Sequence, residues 1–251
     1  MKIIVIGGTG LIGSKLVKKL NDNCHTAIAA SPSTGINIIT GQGLNEAMKG
    51  ADVVVDVGNS PSFEDKAVLE FFETAGKNII AAERAAKVPY HIALSVVGTD
   101  LMSDSGYFRA KQAQEKLIKS SNIPYTIVRA TQFMEFLGSI AQSGVEGEKV
   151  NLPKISFQPI AAEDVADILF QVVSEKPVKG IIEIAGPEKQ PLSDMLEQYL
   201  KANNDPREVV TNENASYFGA KLAQDTLVPQ GKARLGKISF NSWFEGQKKN
   251  N

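Results

Sequence analysis

The chain of 251 residues has one cysteine, two histidines and a formal net charge of −1. Each scarcity excludes something. A single Cys24 cannot form an internal disulfide, which suits a reducing, cytoplasmic setting. Cys24-His25 looks like half of a ligand pair, but no other Cys or His stands near enough in sequence to complete a zinc set, so no metal site is expected. The only other histidine, His91, opens an apolar run and reads as a structural residue. A charge near zero supplies no field for the phosphate backbone of nucleic acid. No apolar run approaches the roughly 18–20 residues that a bilayer requires, so no membrane association is expected. The N-terminal Met1-Lys2-Ile3-Ile4-Val5-Ile6 gives way to Gly7 after four apolar residues, short of the roughly 7–15 of a secretory signal core. It reads as a buried first strand.

What is present is alternation. Short apolar, β-branched runs at residues 3–6, 53–57, 91–97 and 125–129 are strand signals, with weaker ones at 26–30 and 36–39 and one more at 181–185. Between them lie amphipathic stretches at 11–20, 64 to about 87, 107–121 and about 163–173. Continuous apolar strands separated by helices predict βαβ units and a doubly wound parallel sheet of Rossmann type, an α/β fold. The regularity weakens beyond residue 133. Segments of about 134–158 and 187–251 read as a small cap on a single domain spanning 1–251, compact enough to favour a small-molecule substrate. In the last segment Phe240, Trp243 and Phe244 are expected to anchor the tail that Lys248 and Lys249 close.

The strongest local signal is residues 7–13, Gly-Gly-Thr-Gly-Leu-Ile-Gly, placed between a strand and an amphipathic helix. Gly7 permits a tight turn out of the strand, Gly10 lets backbone approach a pyrophosphate, and Gly13 allows close helix packing. A helix N-terminus there offers free N–H groups and a positive dipole end. An NAD site commonly carries an acid about 20 residues further on to hold the ribose hydroxyls. Residues 23–45 contain no Asp, Glu, Lys or Arg. They do contain Ser31, Ser33 and Thr34, whose hydroxyls can bond a phosphate or a ribose, or simply build a turn; Lys15 can reach from the first helix. The lack of a repelling carboxylate favours NADP, with NAD the alternative.

Tyr107 and Lys111 stand four apart on one predicted helix face. In such a pair the ammonium lowers the phenol pKa toward neutrality, so the Tyr can exchange a proton with a carbonyl or alcohol during hydride transfer, and the Lys can hold the nicotinamide ribose. The pattern alone carries little weight, since Tyr217 and Lys221 repeat it. Context favours the first pair: it follows the strand 91–97, and Ser95 falls at that strand's C-terminal end, placed to orient a substrate oxygen. The second pair reads as an ordinary exposed turn.

Taken in order, these elements resemble the short-chain dehydrogenase/reductase superfamily, and within it the atypical, NmrA-like NAD(P)-binding group. The resemblance runs from residue 1 to about 187. It rests on the Gly-rich turn, Gly50-Ala51-Asp52-Val53-Val54-Val55-Asp56-Val57, Leu94-Ser95-Val96-Val97-Gly98, Tyr107-Phe108-Arg109-Ala110-Lys111, Tyr125-Thr126-Ile127-Val128-Arg129-Ala130-Thr131-Gln132-Phe133, and Ile160-Ala161-Ala162-Glu163-Asp164-Val165-Ala166. It implies that Thr9, Gly10, Leu11 and Ile12 bind the pyrophosphate, that Gly58 and Asn59 line the adenosine side after the fourth strand, that Lys111 holds the nicotinamide ribose, and that Arg129 and the residues to Gln132 pass near the nicotinamide. The chain departs from many members in lacking an Arg on the second strand, and Phe133-Met134-Glu135-Phe136 offers no distinctive substrate handle. The group contains carbonyl and quinone reductases, and also dinucleotide-sensing regulators that act through a protein partner. Such sensors commonly lack the Tyr; its presence with Ser95 favours the enzyme.

Overall fold

The computed structural model describes residues 1–250; Asn251, which the expected cap segment 187–251 includes, lies outside them, as do the side chains of Lys249 and Asn250. The elements run β1 (Lys2–Ile6), α1 (Leu11–Asp22), β2 (Thr26–Ala30), α2 (Leu44–Met48), β3 (Val53–Asp56), α3 (Asp65–Ala86), β4 (His91–Val96), α4 (Gly106–Lys119), β5 (Tyr125–Ala130), α5 (Leu137–Ser143), β6 (Val145–Glu146), β7 (Lys149–Leu152), β8 (Ser156–Phe157), α6 (Ala162–Val173), β9 (Gly180–Ala185), β10 (Gln190–Pro191), α7 (Leu192–Ala202), β11 (Glu208–Thr211), β12 (Ala233–Leu235) and α8 (Phe240–Asn250). Among the described residues no helix is long and apolar enough to cross a membrane.

Seven strands form one mostly parallel sheet in the order β12-β9-β5-β4-β3-β1-β2. The Rossmann-type architecture expected from the alternation is present. The chain leaves β1 for β2 on one side and returns to β3 on the other, with Ile3 opposite both Ala27 and Val53. That reversal opens a crevice beyond the carboxyl ends of β1 and β3, where open α/β sheets take their ligands.

The chain divides into two compact units, one of residues 1–129 and 165–182, the other of 130–164 and 183–251. In the first, β3 and all of β1 beyond Lys2 are buried, as the apolar runs 3–6 and 53–55 require of a sheet covered on both faces. Ile4, Ile6 and Val54 pack with Leu44 and Met48 of α2 and with Ala75, Ile79 and Ala82 of α3. Ala93 of β4 and Ile127 of β5 pack with Ile118 of α4. His91 is the structural residue that its strand position suggested: its Nδ1 lies 2.7 Å from Oε1 of Glu83, and both side chains are buried. The second unit is broader than the cap segments 134–158 and 187–251. It holds two small sheets, an antiparallel β8–β10 pair and β11-β7-β6. Its C-terminal segment is tied down: Trp243 Nε1 donates to Glu135 at 3.0 Å, and the Asp164 carboxylate accepts from the N–H of Lys237 and Ile238. The expected tail at Lys248 is helical, within α8.

One expected strand is absent. Residues 36–39 form a loop and turns, so the run at 53–57 is the third strand and not the fourth. The reason is polar capture of the backbone. Asn37 Oδ1 accepts from the N–H of Ile39 and Thr40, and Gly35 and Gly41 flank it with φ of +80° and +77°. Asn78 of α3 then donates to the carbonyls of Ile38 and Ile39. Ile36 still reaches the core, so its hydrophobicity is used without a ladder.

Candidate dinucleotide site

The Gly-rich turn is built so that three of its glycines are confined and one faces outward. Gly7 leaves β1 with φ of +74°, and a Cβ there would come within 2.9 Å of Gly58 Cα. A Cβ on Gly8 would meet Ala29 Cα at 2.6 Å, and one on Gly13 would meet the Gly7 carbonyl oxygen at 2.2 Å. Gly13 is thus required by the turn itself, where its expected role was packing on the sheet. Gly10 differs: its φ of −81° and ψ of −175° suit any residue, and a Cβ would touch only the Gly7 oxygen, at 3.3 Å. Thr9, Gly10 and Leu11 are exposed, whereas the Ile12 side chain is in the core. Gly10 is the N-cap of α1 and brings no side-chain cap, and the first turn of α1 carries no acid. The first N–H groups of the helix therefore face the crevice mouth without a competing anion, which fits a pyrophosphate.

Across the crevice, β3 ends at Asp56, buried and doubly engaged. Its Oδ1 accepts from Gly58 N–H at 3.0 Å and its Oδ2 accepts from Gln114 Nε2 at 2.8 Å. Gln114 Oε1 in turn accepts from Lys111 Nζ at 2.5 Å. Asn59, next along, is exposed.

At the end of β2, Ser31 is buried and opens a short 3₁₀ turn, Pro32–Thr34. Its N–H donates to Thr34 Oγ1 at 3.0 Å, its Oγ lies 2.9 Å from Ser33 Oγ, and Thr34 Oγ1 reaches the Ala29 carbonyl at 2.8 Å. The hydroxyl cluster builds its own turn and leaves the strand end without a charged side chain.

Tyr107 and Lys111 share α4, yet they face different partners. The Lys111 ammonium donates to the Leu94 carbonyl at 2.9 Å and to Gln114, and sits 4.6 Å from the centre of the Phe72 ring. Burial pulls its pKa down to about 8, against the opposing charges of Asp56 and Glu115. Tyr107 packs against the rings of Phe63, Phe72 and Phe108, and burial pushes its phenol up to about 12. The lowered tyrosine pKa expected from the spacing is therefore not the arrangement here, because the cation is spent on the interior of α4 and β4. Ser95 lies at the end of β4 as expected, but it is buried and donates to Glu115 Oε1 at 2.7 Å. Arg129 grips both oxygens of the same Glu115 at 2.9 Å each and reaches Asp100 at 2.9 Å, which turns its guanidinium inward. Burial would raise the Glu115 pKa, but the hydrogen bonds from Arg129 and Ser95 outweigh it and hold the carboxyl below its usual value. The second pair is unrelated to a helix: Tyr217 and Ala220 close a two-residue hairpin through Phe218 and Gly219, both at positive φ. Tyr217 is buried, where an exposed turn was expected.

Asp56, Gln114 and Glu115 are the residues that sequence reasoning passed over. Asp56 had a readable signal, since an acid interrupting an apolar strand just before a glycine has to find buried partners. Gln114 and Glu115 had none, because the partners that commit them to the interior, Asp56, Ser95 and Arg129, lie on strands distant in sequence. Among the described residues no group of His, Cys, Asp and Glu is arranged to hold a metal.

Residues 7–176 match the family described as NAD(P)H-binding. A photosystem II assembly factor, Ycf39, from Synechocystis is 23% identical over 206 residues, covering 72% of this chain and 63% of that protein. The homologous factor from Cyanophora paradoxa is 28% identical, with 49% of its length covered, so the chain spans about half to two thirds of these relatives. A (4-alkanoyl-5-oxo-2,5-dihydrofuran-3-yl)methyl phosphate reductase from Streptomyces griseus is 25% identical over 74% of this chain and 68% of its own. Among solved structures, a UDP-glucose 4-epimerase from Thermotoga maritima with UDP-glucose superposes with a TM-score of 0.78 at 14% identity, covering all of both chains. At that identity the likeness is one of fold.

Proposed function

The chain belongs to the NAD(P)H-binding family, and on that premise we propose that it is an oxidoreductase of short-chain dehydrogenase/reductase type that uses NADP(H) to reduce a small carbonyl or quinone. The observation that carries the reading is the acid-free, uncapped start of α1 behind an outward-facing Gly10. Thr9, Gly10, Leu11 and Ile12 would hold the pyrophosphate through backbone N–H groups, with Gly7 and Gly13 shaping the turn. Gly58 and Asn59 would line the adenosine side, and Ser31 would lie near the adenosine ribose. The charge-free end of β2 favours NADP, with NAD the alternative. Once bound, the dinucleotide supplies the hydride.

Tyr107 keeps its proton at neutral pH, since burial holds its phenol at about 12. A raised pKa makes the phenol a weaker acid than the spacing implied, so it would serve as a donor to the alkoxide that hydride transfer generates and not as a pre-ionised base. Ser95, bonded to Glu115, and Lys111, bonded to the Leu94 carbonyl, would support this residue by fastening α4 to β4. A quinone leans less on a protein acid than a carbonyl does. The test is titration calorimetry with NADPH and NADH, followed by turnover against a panel of aldehydes, ketones and quinones.

A second reading is favoured by the inward commitment of Ser95 and Lys111, and by relatives named for assembly of another complex. In it the chain senses the dinucleotide and signals to a protein partner without turnover. Capture of a partner that differs between NADP and NADPH, with no turnover on the panel, would select it.

A further inference from the structure

Three buried side chains and one half-buried backbone N–H form one continuous hydrogen-bonded path from the middle of α4 to the lip of the crevice. Lys111 Nζ donates to Gln114 Oε1 at 2.5 Å, Gln114 Nε2 donates to Asp56 Oδ2 at 2.8 Å, and Asp56 Oδ1 accepts from Gly58 N–H at 3.0 Å. Lys111, Gln114 and Asp56 are at most 5% exposed. The path has a single allowed polarity. At one end stands an ammonium, which can only donate, and at the other a backbone N–H, which can only donate. Two donors facing inward require an acceptor-only group somewhere between them. Asp56 is that group, and it forces Gln114 into the one amide orientation that faces its oxygen to Lys111. Gly58, at the end of the path, is the residue that Gly7 approaches: the direction of a Gly7 Cβ passes within 2.9 Å of Gly58 Cα.

We propose that Asp56 and Gln114 are positioning residues for the dinucleotide, holding the turn at Gly58 and Asn59 against Gly7 so that the adenosine side of the crevice keeps its width. This rests on the reading of the Gly-rich turn as the dinucleotide site. It also gives Lys111 a purpose that the Tyr-x-x-x-Lys spacing does not describe, as the fixed donor that orients the path.

Moving the negative charge along the path tests its polarity. Asp56→Asn leaves one donor facing another wherever the amides turn: at Gly58 N–H, between the two amides or, if Gln114 flips, at Lys111. Gln114→Glu places a carboxylate oxygen against Asp56 Oδ2. The double variant Asp56→Asn/Gln114→Glu restores every bond: the new carboxylate accepts from Lys111 and from the new amide, whose oxygen accepts from Gly58, and the net charge is that of the wild type. Titration calorimetry with NADPH and NADH is expected to show each single variant weakened about tenfold or more, the cost of one buried unmatched polar pair, and the double variant within about threefold of wild type. The Gly58 amide resonance should shift in both singles and return in the double. If Asp56→Asn does not fold, Gln114→Met cuts the same path with an apolar side chain and is expected to weaken binding as well. Wild-type affinity in folded single variants, or singles weakened but not restored by the double, would overturn the proposal even where melting temperatures fall. A wild type that binds neither dinucleotide overturns the function proposed above and this inference with it, so the two failures are told apart by the wild-type titration.

Discussion

Replacing Gly10 by valine separates what the turn needs for folding from what it needs for a ligand. The backbone at Gly10 is extended, its N–H donates to Gly7 O at 2.9 Å and its carbonyl accepts from Ser14 N–H at 3.0 Å. None of this depends on glycine. A β-branched residue suits the conformation, and losing glycine's freedom in the unfolded chain contributes roughly 0.4–1 kcal/mol. The one close contact, 3.3 Å to the Gly7 oxygen, offsets part of that gain. Without ligand, Gly10→Val is therefore expected within about 1 kcal/mol of wild type, or roughly 2–4 °C in melting temperature for a chain of this size. With dinucleotide at about 100 times its dissociation constant, wild type should gain about 2.7 kcal/mol, a rise of roughly 5–10 °C. The valine side chain stands where the pyrophosphate must approach, so the variant should gain nothing. Gly13→Ala is the control in the opposite sense. Its Cβ falls 2.2 Å from the Gly7 oxygen, an overpacking of about 1–3 kcal/mol, so its unliganded melting temperature should drop by roughly 2–12 °C. A thermal-shift series over the three proteins is sufficient. A folded Gly10→Val that shifts as far as wild type would refute the placement of the pyrophosphate.

Three further outcomes are expected. Calorimetry should give NADP(H) an affinity at least equal to NAD(H), and Ser31→Asp should reverse the order by setting a carboxylate beside the 2′-phosphate; a parent protein that clearly prefers NAD would end that line of reasoning. Tyr107→Phe should keep dinucleotide affinity and lower carbonyl turnover about 10²–10⁴-fold, and undiminished turnover would remove the phenol from the chemistry. Burial lowers the His91 pKa, but the Glu83 carboxylate outweighs it and the net direction is upward. The pair's contribution is thus complete below the ordinary histidine value, about 6.5, and is lost as pH rises through the higher folded value. Denaturant midpoints should show that loss in wild type. His91→Phe, which strands the fully buried Glu83, should cost about 3–5 kcal/mol and flatten that dependence; an unchanged pH profile would contradict the pairing.

The parts of the fold that could be read in advance are those decided by short stretches of chain. Residues 3–6 and 53–55 are apolar without interruption because their strands are covered on both faces, and the Gly-rich turn between a strand and a helix has few alternative uses. The loop at 36–39 was legible only in part: Gly35, Asn37 and Gly41 are local turn signals, but Asn78, some 40 positions away, takes the carbonyls a ladder would have used. The same holds for the site. Gly7, Gly10 and Gly13 are legible from spacing, whereas the partner of Lys111 is not. Tyr107 is one turn away on its own helix, but the lysine is drawn to Leu94 and Gln114, and through Gln114 to Asp56, 58 residues earlier. Spacing says which side chains share a face; it does not say which of them faces a buried carbonyl.

The division of the chain into interleaved units has a consequence for biosynthesis. The first unit is made of residues 1–129 and 165–182, so it cannot be completed until the 35 residues 130–164, which belong to the other unit, have been synthesised. At the usual 5–20 residues per second that is a delay of roughly 2–7 s. During it α6 is missing, and with it the Asp167 partner of Lys19 on α1 and the Phe170 ring that meets His25 edge-on beside β2. The Gly-rich turn and α1 thus emerge from the ribosome well before the helix that braces them, and a nascent chain paused between 129 and 165 presents the phosphate-binding turn on an unfinished scaffold.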